Sequence, residues 1–280
     1  MSASNLWAAF FILFLHIFCL KRIHTIVCGG RGISMILNLR RLFHHRHLFY
    51  GVMGLFAIGA VYVQVAELIS GGPMAIAGTR TERKVVALTF DHSWGNKFTP
   101  SILDTLKQHN LKATFFIMGP WAQKYPEVAK RMVTDGHEIA SHGYRHENYG
   151  DRTKEWVTED IQKSHKLIKE VTGVDATLIR PPNGHYSQQS LKATDDLGYK
   201  TIIWNIDSLD WKNPGRDVII ERVMKRLKPG GIILMHASDT PVQTAEALPI
   251  LLDKIKAEGY EIVTVGQLLS QHAENGILRH

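Results

Sequence analysis

The stretch Val85–Asn96, VVALTFDHSWGN, runs largely apolar for six residues and then meets an acid and a histidine. A short β-rich run that stops at a polar turn reads as a buried strand. Its end, Asp91-His92, either caps a turn or presents two groups to chemistry. Downstream of Lys84 the same punctuation recurs. Candidate strands are Val85–Phe90, Ala113–Met118, Glu138–Ser141, Leu178–Arg180, Thr201–Ile206, Ile232–His236 and Glu261–Val265. Amphipathic helical patterns lie between them at Pro100–His109, Ala122–Thr134, Lys154–Thr172, Gln188–Leu197, Arg216–Leu227 and Thr244–Glu258. Glycine turns close most of these units, for example after Asp135, Thr172 and Leu197. About seven β-then-α units imply an α/β fold with a parallel sheet, open or closed into a barrel. There is no internal repeat.

The unusual polar residues sort onto this frame. Asp91 and His92 follow the first strand, SHGYRH (141–146) the third, and DSLDW (207–211) the fifth. RPPNG (180–184) includes the end of the fourth strand and HAS (236–238) closes the sixth. All five clusters fall at carboxyl ends of strands, the rim on which barrel active sites are built.

His142 and His146, spaced i, i+4, can face one ion from a single helical turn, and neutral imidazole suits zinc and other divalent transition metals. Two surface histidines are the plain alternative. Asp91 either caps a turn or is a carboxylate fixed by Arg180, whose guanidinium offers a bidentate fork. RPPNG reads as a tight loop, or as a rigid segment that aims backbone N–H groups at a developing oxyanion. Asp207 and His236 end neighbouring strands, so the carboxylate can hold the imidazole in one tautomer for general-acid use. Trp211 and Leu234 either wall a small apolar pocket beside it or belong to the core.

The net charge of +7 sits almost wholly in the leader: up to Arg83 there are eight Lys/Arg against two acids, leaving Lys84 onward at +1. No basic stripe with interleaved aromatics follows, which argues against a nucleic-acid partner. Both cysteines, Cys19 and Cys28, precede the body, which therefore has no disulfide, thiol nucleophile or cysteine metal site.

Residues 48–66 are about the length a helix needs to cross a bilayer, and the cationic Arg40–His47 flank keeps its side cytoplasmic. The expected organisation is a basic cytoplasmic segment at 35–47, an anchor or signal at 48–66 and a linker at 67–83. The body then spans 84–272, with a tail at 273–280. AIAG (75–78) resembles a signal-peptidase site but lies far past the apolar run, so a retained anchor is preferred over a cleaved signal. GGRGISM (29–35) looks like a purine-rich ribosome-binding site read as protein. Residues 1–34 are accordingly expected to be absent from the native product, with translation starting at Met35.

In this order the five clusters resemble the polysaccharide deacetylase family, carbohydrate esterase family 4. The resemblance runs from about Lys84 to Leu269, with TFDHSWG and LMHASD similar to its sporulation-associated branch. It implies a distorted (β/α) barrel of about seven units that removes acetyl groups from N-acetylated sugars of chitin-like or peptidoglycan glycans, spore peptidoglycan among them. It implies a divalent metal, with zinc preferred over cobalt or nickel. Asp91 becomes the general base, Arg180 its orienter, and His142 and His146 the metal ligands. The Asn183 backbone N–H serves the oxyanion, His236 tethered by Asp207 is the acid, and Trp211 and Leu234 line the acetyl pocket.

Two residues depart from the family pattern. His92 stands where a second Asp commonly completes the ligand set, and is expected to be the third ligand or else to leave metal held weakly or not at all. Asn183 stands where many members carry Tyr. The competing class is a catalytically impaired glycan-binding or sporulation-structure protein on the same fold. Either reading places the body outside the cytoplasm, anchored or secreted.

Overall fold

The computed structural model describes residues 50–59, 61–62, 72–273 and 276–280. The positions expected to be untranslated (1–34) and the basic segment at 35–47 lie outside the described residues. So does part of the candidate membrane span at 48–66, of which residues 50–59 and 61–62 are helical. Among the described residues no helix is long and apolar enough to cross a membrane.

The body is a closed ring of seven strands. β1 (Ala75–Thr79), β6 (Lys200–Ile202), β5 (Leu178–Ile179), β4 (Glu138–Ser141), β3 (Thr114–Ile117), β2 (Val85–His92) and β8 (Gly231–His236) follow one another around it. Every neighbouring pair is parallel except the closing one, a single antiparallel bridge between Gly78 and Gly231. Outside the ring, β7 (Ile206–Asp207) extends β8, β9 (Glu261–Val263) pairs with the start of β2, and β10 (Ile277–Arg279) pairs with β1. The expected barrel of about seven units is therefore what forms.

β2 is the hub. All eight of its residues are buried, because one edge carries β8 along six residues and the other carries β9 and then β3. The two faces go to different cores. Val85 and Ala87 pack with Ile76, Phe116, Ile202 and Ile232, and Thr89 and Asp91 continue that face. Val86, Leu88 and Phe90 pack with Leu103, Leu251 and Trp121 of the surrounding helices, and His92 continues that side. A parallel strand buried on both faces hides its alternation behind a continuous apolar run.

Three boundaries differ from expectation. Ala75–Thr79, expected as linker with a cleavage-like AIAG, is a wholly buried strand that helps close the ring, so cutting there would open the barrel. The expected strand Thr201–Ile206 is two short strands in different parts of the sheet. The expected helix Ala122–Thr134 is split into Gly119–Lys124 and Pro126–Thr134. Pro126 cannot continue a helix, and it pushes Tyr125 to φ −125°, ψ 58°. The C-terminal tail likewise contains β10.

Candidate active site

The carboxyl ends of β2, β4, β5, β7 and β8 meet at one mouth. A cavity of about 360 Å³ opens there, lined by Asp91, His142, His146, Asn183, Asp207, Trp211, Leu234 and His236 among others. Eight of the ten expected site residues thus converge on one space. Arg180 lies just beneath it, and His92 does not line it.

Asp91 is buried at the inner end of β2, directly across the ladder from His236. Burial alone raises a carboxyl pKa, but Arg180, His142 and His236 outweigh it, and the Asp91 carboxyl is held below its ordinary value. The dominant partner is Arg180, fully buried, whose Nη1 donates to Asp91 Oδ1 at 2.5 Å and to Thr89 Oγ1 at 2.9 Å. The fork is not bidentate on the carboxylate as expected: one nitrogen is shared with Thr89, and Nη2 donates to the Ile203 carbonyl at 3.4 Å. Its guanidinium carbon lies 4.0 Å from the Phe116 ring centroid, so the cation is gripped on its face as well as at its edge.

His142 and His146 do share the site, but not on a helical turn. Residues 142–146 form a loop after β4, with Gly143 at φ 79° and His146 itself left-handed at φ 54°. A side chain at Gly143 would strike Tyr149 Oη at 2.4 Å, so the tight turn requires glycine. The loop is pinned from below by Asp160, whose Oδ2 accepts from Tyr144 N and Tyr149 Oη, both at 2.8 Å, and Oδ1 from Arg145 N at 3.2 Å. Sequence reasoning missed Asp160. Its signal was an acid on the apolar stripe of Lys154–Thr172, between Val157, Ile161 and Ile168.

The result places the two imidazoles 5.2 Å apart, edge to face. His142 Nδ1 donates to the Arg180 carbonyl at 2.9 Å, which leaves Nε2 as a lone-pair nitrogen 3.8 Å from Asp91 Oδ2. Burial lowers the His142 pKa to about 4 and lowers that of His146, so both are neutral near pH 7.

His92 takes no part in that pair. Its ring lies 3.9 Å from that of Trp121, tilted by 34°, and Nε2 meets Thr99 Oγ1 at 2.7 Å. Because Thr99 Oγ1 donates onward to the Ala237 carbonyl, it accepts from His92 Nε2–H, and His92 Nδ1 is left as a buried lone pair with no partner. Burial, and after it the charge of His142, drives its pKa to about 3. Among the described residues no three His, Cys, Asp or Glu side chains form a group that could hold a metal ion. The donor chemistry therefore fits a divalent transition metal at two positions, His142 and His146. The expected third, His92, faces the helix layer.

The acid–imidazole pair exists with a different acid. His236 Nδ1–H donates to Asp210 Oδ1 at 2.7 Å, and the His236 backbone N–H donates to Asp210 Oδ2 at 2.8 Å. Thr244 Oγ1 completes Asp210, fully buried, at 2.7 Å. Burial lowers the His236 pKa, but the charge and hydrogen bond of Asp210, with Asp91 behind them, outweigh it and the net shift is upward. Asp207, the expected tether, instead accepts from Leu209 N at 2.8 Å and closes the turn. Leu209, left-handed at φ 54°, reverses the chain so that Asp210, the next residue, swings beneath His236. Both acids lie in DSLDW, and no pattern in that segment separates them.

Asn183, at φ 57° in the turn Pro182–Gly184, donates through Nδ2 to Asn148 Oδ1 at 2.9 Å. Trp211, half exposed, and Leu234, buried, both line the cavity.

A parallel barrel with its polar residues gathered at one rim places these side chains in a single cleft, and comparison with known proteins identifies the family. A family profile described as Polysaccharide deacetylase matches residues 78–202. Peptidoglycan-N-acetylglucosamine deacetylase PgdA of Listeria monocytogenes is 35% identical over 69% of this chain and 40% of its own length. Peptidoglycan-N-acetylmuramic acid deacetylase PdaA of Bacillus subtilis is 32% identical over 68% of this chain and 73% of its own length. The crystal structure of BA3943, a CE4 family pseudoenzyme from Bacillus anthracis, superposes with a TM-score of 0.68 at 34% identity, covering 71% of this chain and 70% of that one. A mutant of that protein is described as having restored enzymatic activity.

The chain belongs to the polysaccharide deacetylase family, carbohydrate esterase family 4. It spans less than half the length of PgdA.

Proposed function

We propose that this chain is an N-deacetylase of cell-wall glycan, releasing acetate from N-acetylated sugars of peptidoglycan. The observation that carries the reading is one cavity flanked by Asp91, braced by Arg180 with its carboxyl pKa lowered, and His236, braced by Asp210 with its pKa raised. Two carboxylates in different settings, one bare towards the cavity and one spent on an imidazole, separate base from acid.

On this reading Asp91 accepts a proton from the water that attacks the acetamide carbonyl. The backbone at Asn183 serves the developing oxyanion, and the acetyl methyl lies against Leu234 and Trp211. As the carbon–nitrogen bond breaks, His236 Nε2–H gives its proton to the departing amine, and Asp210 retains the imidazole in place. The products are acetate and the free amino sugar. When bound, a divalent metal supplies Lewis-acid polarisation of the carbonyl, and His142 and His146 are the residues that would hold it.

Delivery to the wall is part of the same proposal. The helical residues 50–59 and 61–62 expose Leu55, Phe56, Ile58 and Tyr62, an apolar surface consistent with the anchor expected over 48–66. PdaA, by its name, acts on N-acetylmuramic acid and PgdA on N-acetylglucosamine, and either sugar carries the acetamide that this site would cleave.

The test is acetate release by the full chain from N-acetylglucosamine oligomers and intact peptidoglycan, with zinc, cobalt or nickel supplied. Acetate in step with new free amines is expected. Saccharide binding without acetate under every metal would leave the non-catalytic glycan binder in its place.

A further inference from the structure

Two tryptophans stand half exposed at the mouth of the cavity, Trp94 at 49% and Trp211 at 47%. Neither is floppy. Both sit on loops tied to one strut, residues 238–242. Ser93 N donates to Ser238 Oγ at 2.9 Å, Trp94 Nε1 to Thr240 Oγ1 at 2.8 Å, and Lys97 N to Asp239 Oδ1 at 2.7 Å. Asp239 N returns a bond to the Trp94 carbonyl at 3.2 Å. On the other side Asn213 Nδ2 donates to the Thr240 carbonyl and Val242 N to Asn213 Oδ1, both at 3.0 Å. Gly95 fits so closely against Asp239 that a Cβ there would lie 2.1 Å from its carboxyl carbon. The Trp94 ring lies edge to face with His146 at 5.4 Å.

A large indole held by its N–H, with much of its surface left in water, is an unusual expense of apolar area unless a ligand covers it. In the proposed catalysis Trp211 is one wall of the acetyl pocket and Trp94 has no task. Resting on that reading, we propose that Trp94 is a substrate-binding platform that stacks on a sugar ring next to the one being deacetylated. Pyranose rings present apolar C–H faces with hydroxyls at the rim, which suits an indole face beside polar loop edges. Trp211 covers the reacting sugar and Trp94 its neighbour, so the preferred substrate is an oligosaccharide strand, not a single sugar. Thr240 is the positioning residue, and because the strut is already ordered, stacking loses little to ordering of the loop.

The experiment is binding of N-acetylglucosamine and its di-, tri- and tetrasaccharide to the full chain, read by tryptophan fluorescence and calorimetry. Acetate release on the same series runs in parallel. The wild type is expected to gain about tenfold in affinity between mono- and oligosaccharide, the scale of one good stacking contact. Trp94→Ala removes that gain while the monosaccharide affinity stays put. Trp94→Phe retains part of it, and guards against a misfolded Ala variant. Thr240→Val, which leaves the indole but frees it, raises KM for the tetrasaccharide without lowering kcat. An unchanged chain-length gain in Trp94→Ala overturns the proposal while leaving deacetylation intact. Equal loss for mono- and tetrasaccharide overturns it too. Failure of the wild type to bind or cleave any member of the series brings down this inference and the proposed function together.

Discussion

Asp91 and His92 are neighbours on one strand and have opposite fates. Asp91 continues the inner face of β2 and meets Arg180, His142 and His236 at the mouth of the barrel. His92 continues the outer face and meets Trp121 and Thr99 beneath the helices. A carboxylate is tolerated in burial because a cation is buried with it. The imidazole is tolerated because burial keeps it neutral. The difference teaches that on a strand buried on both sides, adjacency in sequence is no evidence of a shared site: successive side chains point apart.

The largest expected effect is on the inner side. Asp91→Asn keeps the shape and loses the base, and turnover should fall by roughly 10²–10⁴-fold in acetate-release assays, the usual contribution of general base catalysis. Metal content should barely change. A full rate would mean that the base is elsewhere. Arg180→Ala leaves Asp91 buried and uncompensated, and should lower unfolding free energy in urea by about 3–5 kcal/mol. A loss under about 1 kcal/mol would show that water reaches the carboxylate.

The acid side of the comparison sharpens between two aspartates three residues apart. Asp210→Asn should reduce kcat by roughly 10²-fold and remove the upward shift of His236, whereas Asp207→Asn should stay within about threefold. The reverse order would restore Asp207 as the tether.

pH separates the imidazoles. The His236 pKa is raised, so its charged pair with Asp210 contributes stability that is complete below the unfolded value and is lost as pH rises through the folded one. Turnover that needs the His236 proton falls on the same alkaline limb. His142, lowered to about 4, acts in the opposite sense. Between its unfolded value near 6.5 and about 4 only the unfolded chain takes up the proton, so acid destabilises the metal-free protein. Urea midpoints across pH 4–9 read both limbs, and a flat profile contradicts them.

The smallest expected effect is at His92. His92→Leu removes an unpartnered nitrogen together with the Nε2–H bond to Thr99, whose Oγ1 keeps its bond to the Ala237 carbonyl, and should lower stability by about 1 kcal/mol, with zinc content unchanged by metal analysis. His142→Ala, in contrast, should lose zinc. Loss of zinc in His92→Leu would return His92 to the ligand set through its free Nδ1.

Much of this was legible in the sequence, and the exceptions have physical causes. The barrel followed from repeated apolar runs and glycine stops, and the rim from polar residues at strand ends. β1 did not, because Ala75–Thr79 is short, contains alanine and glycine, and becomes a strand only through its pairing with β6 and β10. The inner and outer faces of β2 follow a count in twos from Val85, but the unbroken apolar run, buried on both sides, masks that alternation. Asp210 was hidden because a left-handed residue, Leu209, decides which acid of DSLDW reaches His236, and leucine carries no sequence signal for that conformation.

The most direct test of the site is an NMR titration of its histidine ring resonances in the metal-free protein, assigned with His236→Gln and His142→Gln. The expected result is His236 titrating above the ordinary histidine value while His142 stays neutral down to about pH 4. Both rings titrating together near 6.5 would contradict a cavity that raises the pKa of one imidazole and lowers that of another, and with it the division of base and acid on which the proposed deacetylation depends.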